Sequence, residues 1–155
     1  MSDVHSSETR SFNMSRIKGK DTKPELLVRS YLFAEGFRYR LHAKNLPGKP
    51  DLVLAKYNAV IFVNGCFWHG HAGCRYAHLP KSKTEWWESK INRTKVVDAQ
   101  AISALRATGL NTLVVWECAL KKARREETLL SLAEALRKLG SGVKSEYCEI
   151  GTPAV

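Results

Sequence analysis

From residue 21 onward, apolar and polar positions alternate first with a helical period and then with the period of strands. Asp21-Thr22-Lys23-Pro24-Glu25 supplies a cap residue, a proline and an acid, the opening of a helix. Leu27, Tyr31 and Ala34 fall on one face of that helix, and Gly36 ends it. Phe37-Arg38-Tyr39-Arg40-Leu41-His42 alternates apolar with basic, a strand with one wet, positive face on which His42 is a surface histidine. Pro47-Gly48-Lys49-Pro50 makes residues 44–50 a loop. Residues 51–55 and 59–63 are strands joined by the turn Lys56-Tyr57-Asn58, hence a hairpin, and the second is apolar throughout, as in a strand buried on both faces.

Ser82 with Glu85 fits a capping box that opens a long helix over about 83–108, closed by Gly109. Trp87, Ile91, Thr94, Asp98, Ile102 and Leu105 recur at spacings of three and four and share its inward face. A buried Asp98 needs a partner, as a structural hydrogen bonder or as support for a site. Residues 111–117 form another β-branched strand, with Cys118 directly at its end. A strand reached across a long helix pairs parallel with its predecessor. Residues 124–139 form an amphipathic helix with Leu129, Ala133 and Leu136 inward, stopped by Gly140, and the chain from Ser141 shows little pattern. The expected organisation is one α/β domain over 21–140, with an arm at 1–20 and a tail at 141–155.

At 155 residues the chain suits one domain, and no apolar stretch reaches the ~20 residues that cross a bilayer. A cytoplasmic protein without a membrane partner is expected. Twenty-five Lys and Arg against fifteen Asp and Glu give a net charge of +10, a field that attracts polyanions. Residues 1–20 read either as a polar tail or as an arm that orders on a phosphate backbone, with Phe12, Met14 and Ile17 available for groove contacts.

In a reducing compartment the four cysteines point to metal or catalysis rather than disulfides. Cys66, His71 and Cys74 share one loop, and Cys118 follows another strand. If those strands are adjacent and parallel, four ligands close on one ion, and Cys3His is a structural zinc set. The bland alternative is three buried free cysteines. Cys148 stands apart and is expected to be inert. No His-x-Glu and no Cys-x-x-Cys accompanies the loop, so catalytic zinc of the deaminase type is disfavoured.

With His71 committed to zinc, His69 is free for proton transfer. Asp51 opens its strand after a proline and is the best-placed carboxylate for a hard cation such as Mg2+. Glu25 either complements its helix dipole or reaches a metal site at the strand ends. Phe67, Trp68, Trp86 and Trp87 are candidate wedges between bases, with Lys90 a further DNA contact on the same helix. For each aromatic the competing role is core packing.

These residues resemble the bacterial very short patch repair mismatch endonucleases over about residues 8–120. The resemblance is carried by Arg10-Ser-x-Asn13-Met14, Lys20-Asp21-Thr22-Lys23-Pro24-Glu25, Leu46-Pro47-Gly48-Lys49-Pro50-Asp51, Val60-Ile61-Phe62, Gly65-Cys66-Phe67-Trp68-His69 and Val115-Trp116-Glu117-Cys118. It implies a restriction-endonuclease-like core related to the PD-(D/E)-x-K nucleases, a mixed sheet flanked by helices. It also implies Mg2+-dependent nicking of double-stranded DNA on the 5′ side of the thymine in a T·G mismatch left by deamination of 5-methylcytosine. Carried over, Asp51 is the magnesium ligand with the main-chain carbonyl of Val63, His69 the proton-transfer residue and Glu25 an accessory acid. Cys66, His71, Cys74 and Cys118 hold structural zinc. Phe67, Trp68 and one of Trp86 and Trp87 insert beside the mismatch, while residues 1–20, Met14 among them, clamp the duplex. Val63 and Gly65 stand where the nuclease superfamily has an acid and a lysine, and Asn64 where some relatives have a second histidine. The expectation is a monomer, with other repair proteins as open partners. A restriction-type nuclease of the same fold and a non-catalytic zinc-stabilised DNA-binding module are the rival readings.

Overall fold

The computed structural model describes residues 21–142 and 147–151. The expectations for residues 1–20, Met14 included, lie outside the described residues. Helix α1 (Lys23–Ala34) begins as its sequence directs, with Thr22 as cap accepting the Glu25 N–H at 3.4 Å. Gly36 takes φ +92° after it, and the N–H groups of Phe37 and Gly36 return to the carbonyls of Leu32 and Phe33 at 2.9 and 3.1 Å. The buried face is rotated from the expected one: Glu25, Val28 and Leu32 point inward and Ala34 is exposed. Glu25, the acid of the first turn, is partnered and turns in.

Only Arg40–Leu41 (β1) of the alternating stretch pairs as a strand, because Phe37 drops into the core and His42 leaves the extended region at φ +50°. The hairpin forms as expected, β2 (Leu52–Leu54) antiparallel to β3 (Ala59–Asn64), with Leu52 opposite Ile61. Its turn is a short helical loop over Ala55–Tyr57 closed by Asn58 at φ +50°. Asn58 also anchors the next strand: its carbonyl accepts the Asn111 N–H at 2.9 Å, and its Nδ2 donates to the Gly109 carbonyl at 2.8 Å. From that anchor β4 (Asn111–Trp116) runs parallel to β3 in register, from Ala59 opposite Asn111 to Asn64 opposite Trp116.

The crossover between them is α2 (Thr84–Ala107), whose inward face carries Ile91, Ala101 and Leu105 buried, with Thr94, Asp98 and Ile102 half-buried. The capping box does not form. Lys83, at φ +54°, is the cap, and the Thr84 hydroxyl donates to the carbonyls of Pro80 and Lys81. Helix α3 (Arg125–Gly140) runs through Gly140 rather than stopping before it. That glycine instead makes room for the Tyr57 ring, which a Cβ would approach to 2.8 Å. A fifth strand, β5 (Tyr147–Ile150), pairs parallel to β4 within the stretch that showed little pattern. Four residues with only Ile150 fully buried leave too short a trace to detect.

The sheet order is β1-β2-β3-β4-β5, a mixed sheet between two helical layers. Val28 and Leu32 of α1 and Leu129, Leu132 and Leu136 of α3 pack on Leu52, Leu54, Ile61, Leu113 and Val115. Val53 and Val60 face the other way, onto Leu105 of α2. With both faces covered, β3 and β4 are apolar without alternation. No helix among the described residues is long and apolar enough to cross a membrane.

Candidate active site and metal centre

The parallel ladder ends level at Asn64 and Trp116, and both chains turn there. Gly65 opens a tight loop in which the N–H groups of His69, His71 and Cys74 reach the carbonyls of Gly65, Cys66 and His71. Cys118 sits in the short helical turn Glu117–Leu120. Its N–H donates to the Cys66 sulfur at 3.3 Å, so the strand tips meet. The Nδ1 of His71 lies 3.5 Å from the sulfurs of both Cys66 and Cys118. With Cys74, four buried donors lie within 4.8 Å of one another. A tetrahedral ion with bonds of about 2.3 Å to sulfur and about 2.05 Å to nitrogen would separate a sulfur from a nitrogen by roughly 3.6 Å. The donors fit such an ion, and the reading as unconnected free cysteines loses its ground. Burial lowers the pKa of His71, which keeps its imidazole neutral as a ligand must be. Burial pushes the Cys66 thiol up, against the Cys118 N–H that favours the thiolate. The His71 ring stacks on Trp116 at 4.0 Å. Cys148 is on β5, half-buried and outside the cluster.

The same loop carries His69. Its Nδ1 is 2.7 Å from Oδ2 of Asp98, which reaches up from the inward face of α2. Asp98 thus meets its need for a partner with the ring of the candidate proton carrier. An acceptor at Nδ1 places the proton there and leaves Nε2 for a reacting group.

Asp51 precedes β2, its N–H bonded to the Ile61 carbonyl at 3.0 Å and its Oδ2 accepting the Val63 N–H at 2.7 Å. Burial pushes the pKa of Asp51 up to about 6, opposed by the Val63 N–H and reinforced by the charge and hydrogen bonding of Glu25. Glu25 is 1% exposed. Its carboxylate is met by the Asp21 N–H at 3.3 Å, by Arg29 Nη1 at 2.8 Å and by His42 Nε2 at 2.9 Å. His42 is therefore no surface histidine. Arg29 also bonds Asp21 at 2.7 Å. Neither Arg29 nor His42 was given a place in the site from the sequence. The i,i+4 pair of Glu25 and Arg29 was visible there, whereas the approach of His42 depends on its left-handed backbone.

Phe67, Trp68 and Trp87 form one aromatic cluster, with ring centroids 5.1 to 5.7 Å apart. Of the tryptophan pair, Trp87 joins the loop aromatics. Trp86 lies edge-on against it, 56% exposed, with Lys90 Nζ 5.7 Å above its ring.

Two measurements check this site. Cys118→Ser removes one of four ligands, and the purified variant should retain no bound metal. Its melting temperature should fall by roughly 5–10 °C, as should that of the wild type after chelation, because metal binding here is folding free energy. Asp51 has a folded pKa above its unfolded one. Its contribution to stability is thus greatest below pH about 4 and is lost as pH rises through about 6. Asp51→Asn at pH 7.5 without divalent cations should therefore melt about 2–4 °C above wild type, a gain on the order of 1 kcal/mol. At pH 4.5 the difference should shrink.

Comparison with known proteins agrees with this geometry. The family model described as DNA mismatch endonuclease Vsr matches residues 2–75. The type II nicking enzyme V.NmeAIP of Neisseria meningitidis is 46% identical over 138 residues, 88% of this chain and 98% of the relative. The type II nicking enzyme V.XorIIP of Xanthomonas oryzae is 47% identical over 120 residues, 77% of this chain and 88% of the relative. The DNA mismatch endonuclease Vsr of Escherichia coli K12 is 40% identical over 148 residues, 94% of both chains. Similarity of that extent, on a fold that gathers the quoted motifs at one end of the sheet, shows that this chain belongs to the Vsr family of DNA mismatch endonucleases.

Proposed function

We propose that this endonuclease nicks one strand of duplex DNA on the 5′ side of the thymine in a T·G mismatch, with Mg2+ at Asp51 and zinc at Cys66, His71, Cys74 and Cys118. The observation that carries the reading is the His69–Asp98 pair, held at 2.7 Å on the loop that the four metal-type donors brace. A histidine fixed at Nδ1 by a carboxylate and open at Nε2 is the arrangement a proton-transfer residue needs. Asp51 and the main-chain carbonyl of Val63 are the proposed magnesium ligands. Supporting this, the Val63 N–H already points to Asp51, and the N–H and C=O of a strand residue project to the same side. Held by these groups, Mg2+ would supply charge neutralisation at the scissile phosphate and a more acidic water. His69 moves a proton at Nε2 to or from the reacting oxygen, and Glu25 is the accessory acid behind Asp51.

Selectivity is assigned to the aromatic cluster. Inserting Phe67, Trp68 and Trp87 beside a base pair costs a few kcal/mol of stacking, roughly, and less where the pair is weakened. Trp86 and Lys90 flank the wedge, and residues 1–20 with Met14 close on the backbone. The +10 charge favours capture of the duplex. In this reading the hairpin, the crossover helix and the parallel strand are a restriction-endonuclease-like core. The enzyme works as a monomer in the bacterial cytoplasm.

The test is cleavage of a panel of matched and mismatched duplexes with and without Mg2+. Nicking confined to T·G duplexes and to Mg2+ is expected. Equal cutting of matched duplex would identify a restriction-type enzyme, and binding without cleavage a non-catalytic module. Asp51→Ala should abolish nicking while the protein still melts cooperatively. Asp98→Asn should lower the single-turnover rate about 100-fold or more, with duplex binding within about twofold of wild type. An unchanged rate would remove Asp98 from the mechanism.

A further inference from the structure

The acid side of the site holds a second histidine whose role the proposed chemistry leaves open. His42 follows the edge strand, at the point where the chain turns back toward Asp51, and its backbone sits at φ +50°. That region is strained for a non-glycine residue, and such strain persists where the surroundings impose it. Two contacts impose it here. The His42 N–H donates to the main-chain carbonyl of Asp51 at 3.0 Å, and Nε2 of the ring lies 2.9 Å from Oε2 of Glu25. An ionised carboxylate only accepts, and this one already accepts from Arg29 and the Asp21 N–H, with the Asp51 carboxyl group as a further neighbour. The geometry therefore makes His42 a donor as well.

We infer that His42 is a positioning residue, which ties the Glu25 carboxylate to the backbone of Asp51 and so sets the spacing of the two acids for their cation. This rests on the assignment of Asp51 and Glu25 to the catalytic centre. Helix α1 and the hairpin are separate elements, and Glu25 reaches the site from the first while Asp51 opens the second. Among the described residues, His42 bonds to both, its N–H on one acid's carbonyl and its ring on the other's carboxylate. Arg29 meets the same Glu25 oxygen and bridges it to Asp21 within the helix start, whereas His42 carries the tie on to the Asp51 backbone, beside the direct hydrogen bond between the two carboxyl groups. A carboxylate at 1% exposure cannot turn to water if that donor is lost, so it must shift or take up a cation differently. Outer partners of metal-site carboxylates characteristically change metal affinity or turnover 10- to 100-fold when removed.

The test is Mg2+ dependence of T·G nicking by full-length wild type, His42→Ala, His42→Gln and Asp51→Ala, with melting curves for each. His42→Ala should need at least about tenfold more Mg2+ for half-maximal rate and lose about 10- to 100-fold in maximal rate. His42→Gln, whose amide N–H replaces the ring donor, should recover most of both. A purely structural histidine would lower the melting temperature and leave the Mg2+ midpoint of the folded fraction unchanged, which overturns the inference. A His42→Gln variant as impaired as His42→Ala at equal melting temperature would also overturn it. Asp51→Ala keeps the two levels apart. If that variant nicks, the underlying catalytic assignment fails. If it is inactive while His42→Ala matches wild type, only the positioning role is lost.

Discussion

The parallel pairing of β3 with β4, locked at its lower end by Asn58, is the constraint on which the site depends. Asn58 holds the Asn111 N–H and the Gly109 carbonyl, so the two strands begin level and, six residues later, end level. One residue of strand advances about 3.3 Å, so a slip of two would carry Cys118 about 6–7 Å from Cys66. The observed contact of 3.3 Å between the Cys118 N–H and the Cys66 sulfur would be lost, and four donors could not share one ion. The gathering of the four metal-type donors is thus a readout of strand register.

That centre in turn organises the chemistry around it. The loop between Gly65 and Cys74 is held by its own backbone hydrogen bonds and closed at both ends by metal-type donors. Between those donors it presents Phe67, Trp68 and His69. Helix α2 packs along the loop, with Trp87 against the aromatics, Ile91 and Lys95 beside Gly70, and Asp98 against His69. The aromatic cluster and His69, the proposed wedge and proton carrier, are consequently fixed to one another through a single helix and a single loop. Acids come from elsewhere, Asp51 at the mouth of the hairpin and Glu25 from the first turn of α1, and they are joined through His42. Two histidines, His69 and His42, are thus each held by a carboxylate.

Polar residues on buried faces mark where this protein departs from an apolar ideal. Asp98 interrupts the inward stripe of α2, Glu25 that of α1, and Asp51 is buried enough for its carboxyl to titrate near 6. Each weighs against the stability of the fold when ionised and unpartnered. Each belongs to the group of residues proposed to act on the phosphodiester. Buried or half-buried charge at one end of one sheet is a stronger sign of function here than any cavity.

Local pattern was enough to read most elements. The cap and proline of α1, the hairpin, the crossover helix with its face from Trp87 to Leu105, and the amphipathic α3 are encoded by neighbours within a few turns, where propensity and period act directly. Pattern also made the Cys66, His71, Cys74 and Cys118 set legible, because a parallel crossover brings two strand ends together whatever the intervening helix contains. Pattern did not reveal β5, whose four residues gain their structure only from an edge already formed by β4. Nor could it show that Glu25 faces inward, that Asp98 meets His69, or that His42 reaches Glu25 across seventeen residues. Those contacts join side chains from separate elements, and their distances are set by how helices and sheet pack against one another. Sequence determined which groups the protein possesses and on which local faces they stand; only the packed structure decided which of them touch.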